Sequence, residues 1–321
     1  MRVFMAAAVL ALSSTSGFAQ ILDVRELNTV QVQALDRTRT AVLLPGGILE
    51  EHGPYLPSYS DGYQTEFVTT KIAEAIVARP GWTVLKFPPL PLGTMPASEI
   101  GGKFAFPGSY PIRMSTLRAV YMDLATDLGE AGFKWIFVVN LHGAPPHAKA
   151  IDDASRYFNE SYGGKMIHLS GLNVVAGAVP KDIFTLEQHA MEGFSVHADA
   201  DEHSRVLFLR PDLVPPAQKI APPVITRNMG EIVLTARGQG WTGYFGTPAI
   251  ATAAAGSRAM NAIADAAVRV AMQILDGGTD AALAHVADEM TDPGFKPIVD
   301  QLLAHEREVE RKQNEWLAKQ K

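Results

Sequence analysis

Short apolar runs alternate along this chain with longer stretches in which apolar residues recur every three or four positions. The short runs, at 41–44, 82–87, 135–139 and 165–169, have the length and the β-branched or aromatic content of buried strands. The longer stretches between them, at 63–78, 114–131 and 147–157, carry apolar residues at helical spacing. Strand and helix in alternation predict βαβ units, and so an α/β fold with a mostly parallel sheet and helices on both faces. A later helix at 257–275 is rich in Ala and Val and is expected to pack on the sheet. The last segment, 300–321, is strongly charged, with Leu302, Leu303, Val309, Trp316 and Leu317 scattered through it. It reads as a solvated terminal helix or tail, or as a subunit contact. The proline-rich stretches at 87–96 and 213–223 read as ordered loops.

The first nineteen residues stand apart from this pattern. Met1-Arg2 is a short positive region, 3–12 is apolar, and 13–19 is small and polar, ending at Ala19. This is the layout of a secretory signal peptide, with an apolar core too short to span a bilayer. Cleavage after Ala19 leaves Gln20 as the new N-terminus, so a periplasmic or secreted protein is expected. No later segment reaches the eighteen consecutive apolar residues of a membrane helix. The expected organisation is a signal peptide at 1–19, one catalytic domain at 20–299 and a charged helix or tail at 300–321.

Composition narrows the chemistry. Cysteine is absent, which removes disulfides, thiolate nucleophiles and thiolate metal ligands. Any metal must be held by His, Asp and Glu. Without Arg2 the 28 basic residues become 27 against 34 acidic ones, a net charge near −7. No basic patch with interleaved aromatics is present, so nucleic acid is not an expected partner.

The densest chemistry lies between Glu50 and Asp61, directly after the apolar run that ends at Pro45. Glu50 and His52 are two residues apart, so in extended backbone their side chains leave on the same side. Gly46, Gly47, Gly53, Pro54 and Pro57 stop the strand from continuing. Two metal-competent side chains on one face of a stiff turn, with Asp61 following, form half of a metal site. Asn140-Leu141-His142-Gly143-Ala144-Pro145 begins where another predicted strand ends. Sites in open parallel sheets form outside the carboxyl ends of strands, so His142 meets the first cluster if the two strands are neighbours. Taken alone, His142 reads sooner as a loop histidine bonded to backbone. A third cluster, from His197 through Asp199, Asp201 and Glu202 to His203 and Ser204, precedes the apolar run 205–209. It reads either as an acidic first helical turn with a surface histidine or as part of a site.

Taken together, these segments resemble the creatininase (creatinine amidohydrolase) family. Its E-x-H-G-P-x-L-P segment, followed by an Asp nine residues after the His, is matched by Glu50, His52, Gly53, Pro54, Leu56, Pro57 and Asp61. An altered N-G-H-G-G-N motif stands at 140–145 and an altered H-A-G-x-x-E-T-S motif at 197–204. Phe106-Pro107-Gly108-Ser109 resembles its F-P-G-T element, and 246–253 matches its late G-x-P-x-x-A-T-A element.

The resemblance implies a three-layer α/β/α fold and a binuclear site for two divalent metal ions, Zn, Mn or Fe. Glu50, Asp61 and His142 would hold one ion, His52, Asp61 and a further carboxylate the other, with Asp61 between them. Creatininases take that carboxylate from the position of Ala144, which cannot ligate, so Glu202 is the expected substitute. His197 matches the catalytic histidine. The implied reaction is hydrolysis of a C–N amide bond in a small cyclic amide or formamide by metal-bound hydroxide, with His197 passing the proton to the leaving nitrogen. A closed homo-oligomer is also implied. Glu51 is expected to point to the opposite face. Leu141, Pro145, Tyr55, Asp199 and His203 depart from the family pattern and leave the substrate open. A lactone or other ring-opening hydrolase is the alternative within the enzyme class; outside it stands a periplasmic binding or scaffold protein with a degenerate metal site.

Overall fold

A computed structural model describes residues 20–320, so the expected signal peptide at 1–19 lies outside the described residues. Five strands form one sheet: β1 (Ile21–Asp23), β2 (Thr40–Pro45), β3 (Thr83–Lys86), β4 (Trp135–Val139) and β5 (Lys165–His168). Their order is β1-β3-β2-β4-β5 and every pairing is parallel. The edge strand β1 has three residues and was not anticipated, because so short a run carries no readable period.

The strands are apolar on both faces because both faces are covered. Ala41, Leu43, Val84, Phe137, Val139 and Ile167 pack with helices Ser60–Val77 and Ala253–Leu275. Val42, Leu44, Leu85, Ile136, Val138 and Met166 pack with Met114–Glu130 and Pro145–Tyr162. The result is the expected three-layer α/β/α arrangement. Helix Ser60–Val77 starts ahead of the apolar pattern because its first turn, with Ser60, Asp61 and Gly62, is buried yet polar. Among the described residues no helix is long and apolar enough to cross a membrane.

The strand order places the chemistry. From β2 the chain passes to β3 on one side, and β4 then returns to β2's other side, with Pro45 opposite Val139. The connection therefore reverses direction between β2 and β4, and a crevice opens outside their carboxyl ends. A third apolar cluster beyond those ends includes Met95, Ile100, Ile232, Trp241, Phe245 and Ile298. It seats helix Met229–Arg237 and the first turns of the terminal helix Lys296–Ala318 beside the crevice. That terminal helix buries Ile298, Val299, Leu302 and Glu306, whereas Trp316 and Leu317 are more than half exposed.

Helix Ala200–Leu209 lies against the start of helix Ala253–Leu275, where Gly256 permits close approach. A Cβ at Gly256 would sit 1.8 Å from the Ser204 carbonyl oxygen, so the helices would have to part. Gly256→Ala is expected to destabilise the fold by about 2 kcal/mol through overpacking, read as a lower urea midpoint at unchanged slope. An unchanged midpoint would mean the helices separate without cost.

Candidate metal centre

The segments leaving β2 and β4 touch at once. Gly46 N–H donates to the Val139 carbonyl at 2.7 Å, and a Cβ on Gly46 would lie 2.3 Å from Asn140 Nδ2. Glycine is what lets the first motif run alongside the second. Into the crevice come Glu50, His52, Asp61, His142 and His197, none more than 8% exposed, with Glu202 at its edge. Ionisable groups buried this deeply must be paired or hold a cation.

The ring nitrogens settle which atoms face one another. His142 Nε2 lies 3.0 Å from the Thr94 carbonyl and 3.2 Å from that of Met95, and carbonyls only accept. Nε2 therefore carries the proton, and Nδ1 presents its lone pair 2.9 Å from Glu50 Oε2 and 3.4 Å from Asp61 Oδ2. His52 Nδ1 donates to the Glu50 carbonyl at 3.1 Å, leaving Nε2 to face Asp61 Oδ1 at 3.8 Å and Glu202 Oε2 at 3.9 Å. Lone pairs and carboxylate oxygens thus point at each other. Glu50 Oε2, His52 Nε2 and Asp61 Oδ2 are buried with no hydrogen-bond partner. Burial pulls the His52 pKa down, yet Asp61 and Glu202 outweigh it and push it up to about 10. The cluster calls for positive charge between its atoms, which a divalent cation supplies without a proton.

Among the described residues three donor groups have all their ligand atoms within 4.8 Å of one another: Glu50–Asp61–His142, His52–Asp61–Glu202 and Glu50–His52–His197. The first two share Asp61. His197 Nε2 donates to the Glu51 carbonyl at 2.5 Å, so its Nδ1 faces Glu50 Oε1 at 3.3 Å and Glu202 Oε2 at 3.8 Å. Its ring centre lies 4.5 Å from that of His52. Glu51 turns away, accepting from Ser98 N–H and from the Ser109 hydroxyl. Burial and the neighbouring Glu50 charge push its carboxyl up to about 8.

The third cluster does open a helix with an acidic first turn, but neither of its histidines is on the surface. Asp199 caps helix Ala200–Leu209 by accepting from Glu202 N–H at 3.0 Å, and Asp201 stands in the acidic first turn. Arg205 binds Asp201 and reaches Gln64 at 3.0 Å, tying this helix to Ser60–Val77, which carries Asp61. His203 is buried rather than on the surface, with Nδ1 on the Asp199 carbonyl at 2.9 Å and its pKa lowered by burial to about 4. Its ring lies 6.3 Å from Tyr55, so two departures from the family pattern pack against each other. Ala144 caps helix Pro145–Tyr162 and offers no donor, while Pro145 sits at the first helical position, where its fixed φ suits.

Two non-glycine residues among those described have positive φ, and both are here: Met95 at 62° and Ala198 at 47°. Each costs on the order of 1–3 kcal/mol and is held by its surroundings. Met95 turns its carbonyl to His142, and Ala198 N–H donates to Glu202 Oε2 at 2.5 Å. Sequence reasoning missed Thr94 and Met95, which act through backbone that leaves no side-chain signature. It also missed Glu306, whose Oε1 accepts from Thr94 Oγ1 at 3.1 Å and Met114 N–H at 2.7 Å. Met229, Glu289 and Phe295 line the cavity of about 160 Å³ above the donors and belong to no motif.

Comparison with known proteins bears on the family and the fold. A family model described as creatininase, creatinine amidohydrolase, matches residues 25–271. No curated protein sequence matches. A crystal structure of creatinine amidohydrolase (creatininase) is 20% identical, with 79% of this chain and 98% of that one covered and a TM-score of 0.58. A creatininase structure described as the Mn form is 20% identical, covering 80% and 98%, with a TM-score of 0.55. A mutant creatininase of Zn-Zn type is 21% identical, covering 79% and 97%, with a TM-score of 0.54.

Glu306 supports the loop that orients His142, and groups behind a metal ligand are worth about 10–100-fold in affinity. Glu306→Ala is expected to weaken Mn²⁺ binding within that range by calorimetry. Burial raises the Glu306 pKa, so Glu306→Gln, which keeps the accepting oxygen, should bind close to wild type. Equal affinity in the alanine variant would remove Glu306 from the support.

Proposed function

The chain belongs to the creatininase family of metal-dependent amidohydrolases, and on that footing we propose that it is an exported binuclear enzyme cleaving a C–N amide bond in a small cyclic amide or formamide. The observation that carries this reading is the pair of buried donor groups sharing Asp61, with lone pairs and carboxylate oxygens aimed at one another. Glu50, Asp61 and His142 would hold one ion and His52, Asp61 and Glu202 the other. An all-nitrogen-and-oxygen set of this kind suits Zn²⁺, Mn²⁺ or Fe²⁺. Two such ions supply a water of lowered pKa and a polarised substrate carbonyl.

The chain's own residues do the rest. Asp61, at the start of helix Ser60–Val77, presents one oxygen toward His52 and the other toward His142, so it would contribute to both ions. The His197 ring is fixed by its bond to the Glu51 carbonyl, which leaves Nδ1 facing the donors to take a proton from water and return it to the leaving nitrogen. Glu51 is engaged by Ser98 and Ser109 and is not placed for that role. The unbroken donor set counts against a decayed site in a binding protein.

Export is part of the same proposal. Strand β1 begins at Ile21, so cleavage after Ala19 leaves the described fold whole. N-terminal sequencing of protein recovered from the periplasm or medium should begin at Gln20, and a retained Met1 in a cytosolic fraction would refute it. Assembly into a closed homo-oligomer is proposed on the family resemblance alone.

Purified wild type should carry two equivalents of transition metal, and Asp61→Ala should lose both, as measured by elemental analysis. A wild type without metal affinity would sink the proposal. His197→Ala should keep two equivalents and lose about 10²–10⁴-fold in turnover, the usual scale of acid–base catalysis. Loss of one equivalent would instead make His197 a ligand.

A further inference from the structure

The cavity over the donor cluster differs in character between floor and mouth. Its floor is Glu50, Asp61, His142, His197 and Glu202, while Val196, Met229, Phe295 and Glu289 stand around the opening. Among the described residues no lysine or arginine lines it. Glu289, in the turn Val286–Thr291, has its carboxyl raised by burial and by the Asp292 charge. Glu289 and Phe295 both lie beyond residue 271, where the family match ends. This part of the wall is therefore supplied by the chain's own C-terminal segment.

A carboxylate beside an aromatic ring and apolar side chains is suited to a positively charged nitrogen on an apolar body. Away from the donor cluster, a substrate acid would find no lysine or arginine side chain to pair with and would meet Glu289 at the mouth. We propose that Glu289 and Phe295 select substrates whose scissile amide is joined to a small apolar group bearing a cationic nitrogen, and disfavour those bearing a carboxylate. The inference rests on the hydrolase reading, since it takes the donor cluster as the place where the amide is held.

The test is binding of three matched probes to the Mn²⁺-loaded protein by calorimetry. Phenylacetohydroxamic acid is the neutral probe, and its ring-substituted aminomethyl and carboxyl derivatives are the cationic and anionic ones. The cationic probe should bind about fivefold tighter than the neutral one and the anionic probe about fivefold weaker, the scale of a partly exposed ion pair. In Glu289→Gln, with metal content as in wild type, the cationic-to-neutral ratio should fall to about 1. Equal affinities in wild type, or a ratio unchanged by Glu289→Gln, would overturn the selectivity while leaving the hydrolase reading intact. Failure of the neutral probe to bind would overturn both.

Discussion

Negative charge gathered in a water-poor crevice is the constraint around which this molecule is arranged. Glu50 and Asp61 share one donor group, Asp61 and Glu202 another, with ligand atoms no more than 4.8 Å apart. Like charges at that spacing repel by roughly 3–4 kcal/mol per pair at an effective dielectric of 20. Two such pairs consume much of the roughly 5–15 kcal/mol by which a domain is stable. Without a metal, the rings of His52 and His142 relieve this as imidazolium ions, with outer N–H groups on carbonyls and inner nitrogens facing the carboxylates. Divalent cations remove the repulsion and give the inward lone pairs a use.

Everything near the crevice serves to hold these groups in place. The reversal of strand order between β2 and β4 brings the first two motifs side by side, and Gly46 allows their contact. Helix Ala200–Leu209 is fixed from two directions, by Gly256 at close approach and by Arg205 reaching Gln64. Met95 and Ala198 are held in unfavourable backbone conformations, each where it delivers a carbonyl or an N–H to a donor residue. The terminal helix takes part as well, because Glu306 ties down Thr94 and, through it, the partner of His142.

Much of this was legible in the sequence. Strand β4 matches its apolar run residue for residue, because a strand buried on both faces shows no polar interruption. Glu50, His52, Asp61 and His142 could be singled out since each follows a strand in a turn too stiff for chance clustering. Glu202 could be placed at a helix start by its acidic neighbours, and the structure brings it to His52. Contributions made through backbone or through distant segments stayed hidden. The Thr94 and Met95 carbonyls have no signature, Glu306 lies in the charged stretch 300–321 that resembles a solvated helix, and Glu289 and Phe295 belong to no motif. His203 looked like a surface residue because the helix that buries it packs through small residues such as Ser204 and Gly256.

The central claim is that Asp61 joins two cation sites built from these residues. Anomalous diffraction from crystals of the Mn²⁺-loaded protein measures this directly. Two peaks should appear ~3.5–4 Å apart, with one Asp61 oxygen on each and Glu202 beside the ion that His52 holds. A single peak, or two peaks with Glu202 turned away from both, would contradict the account.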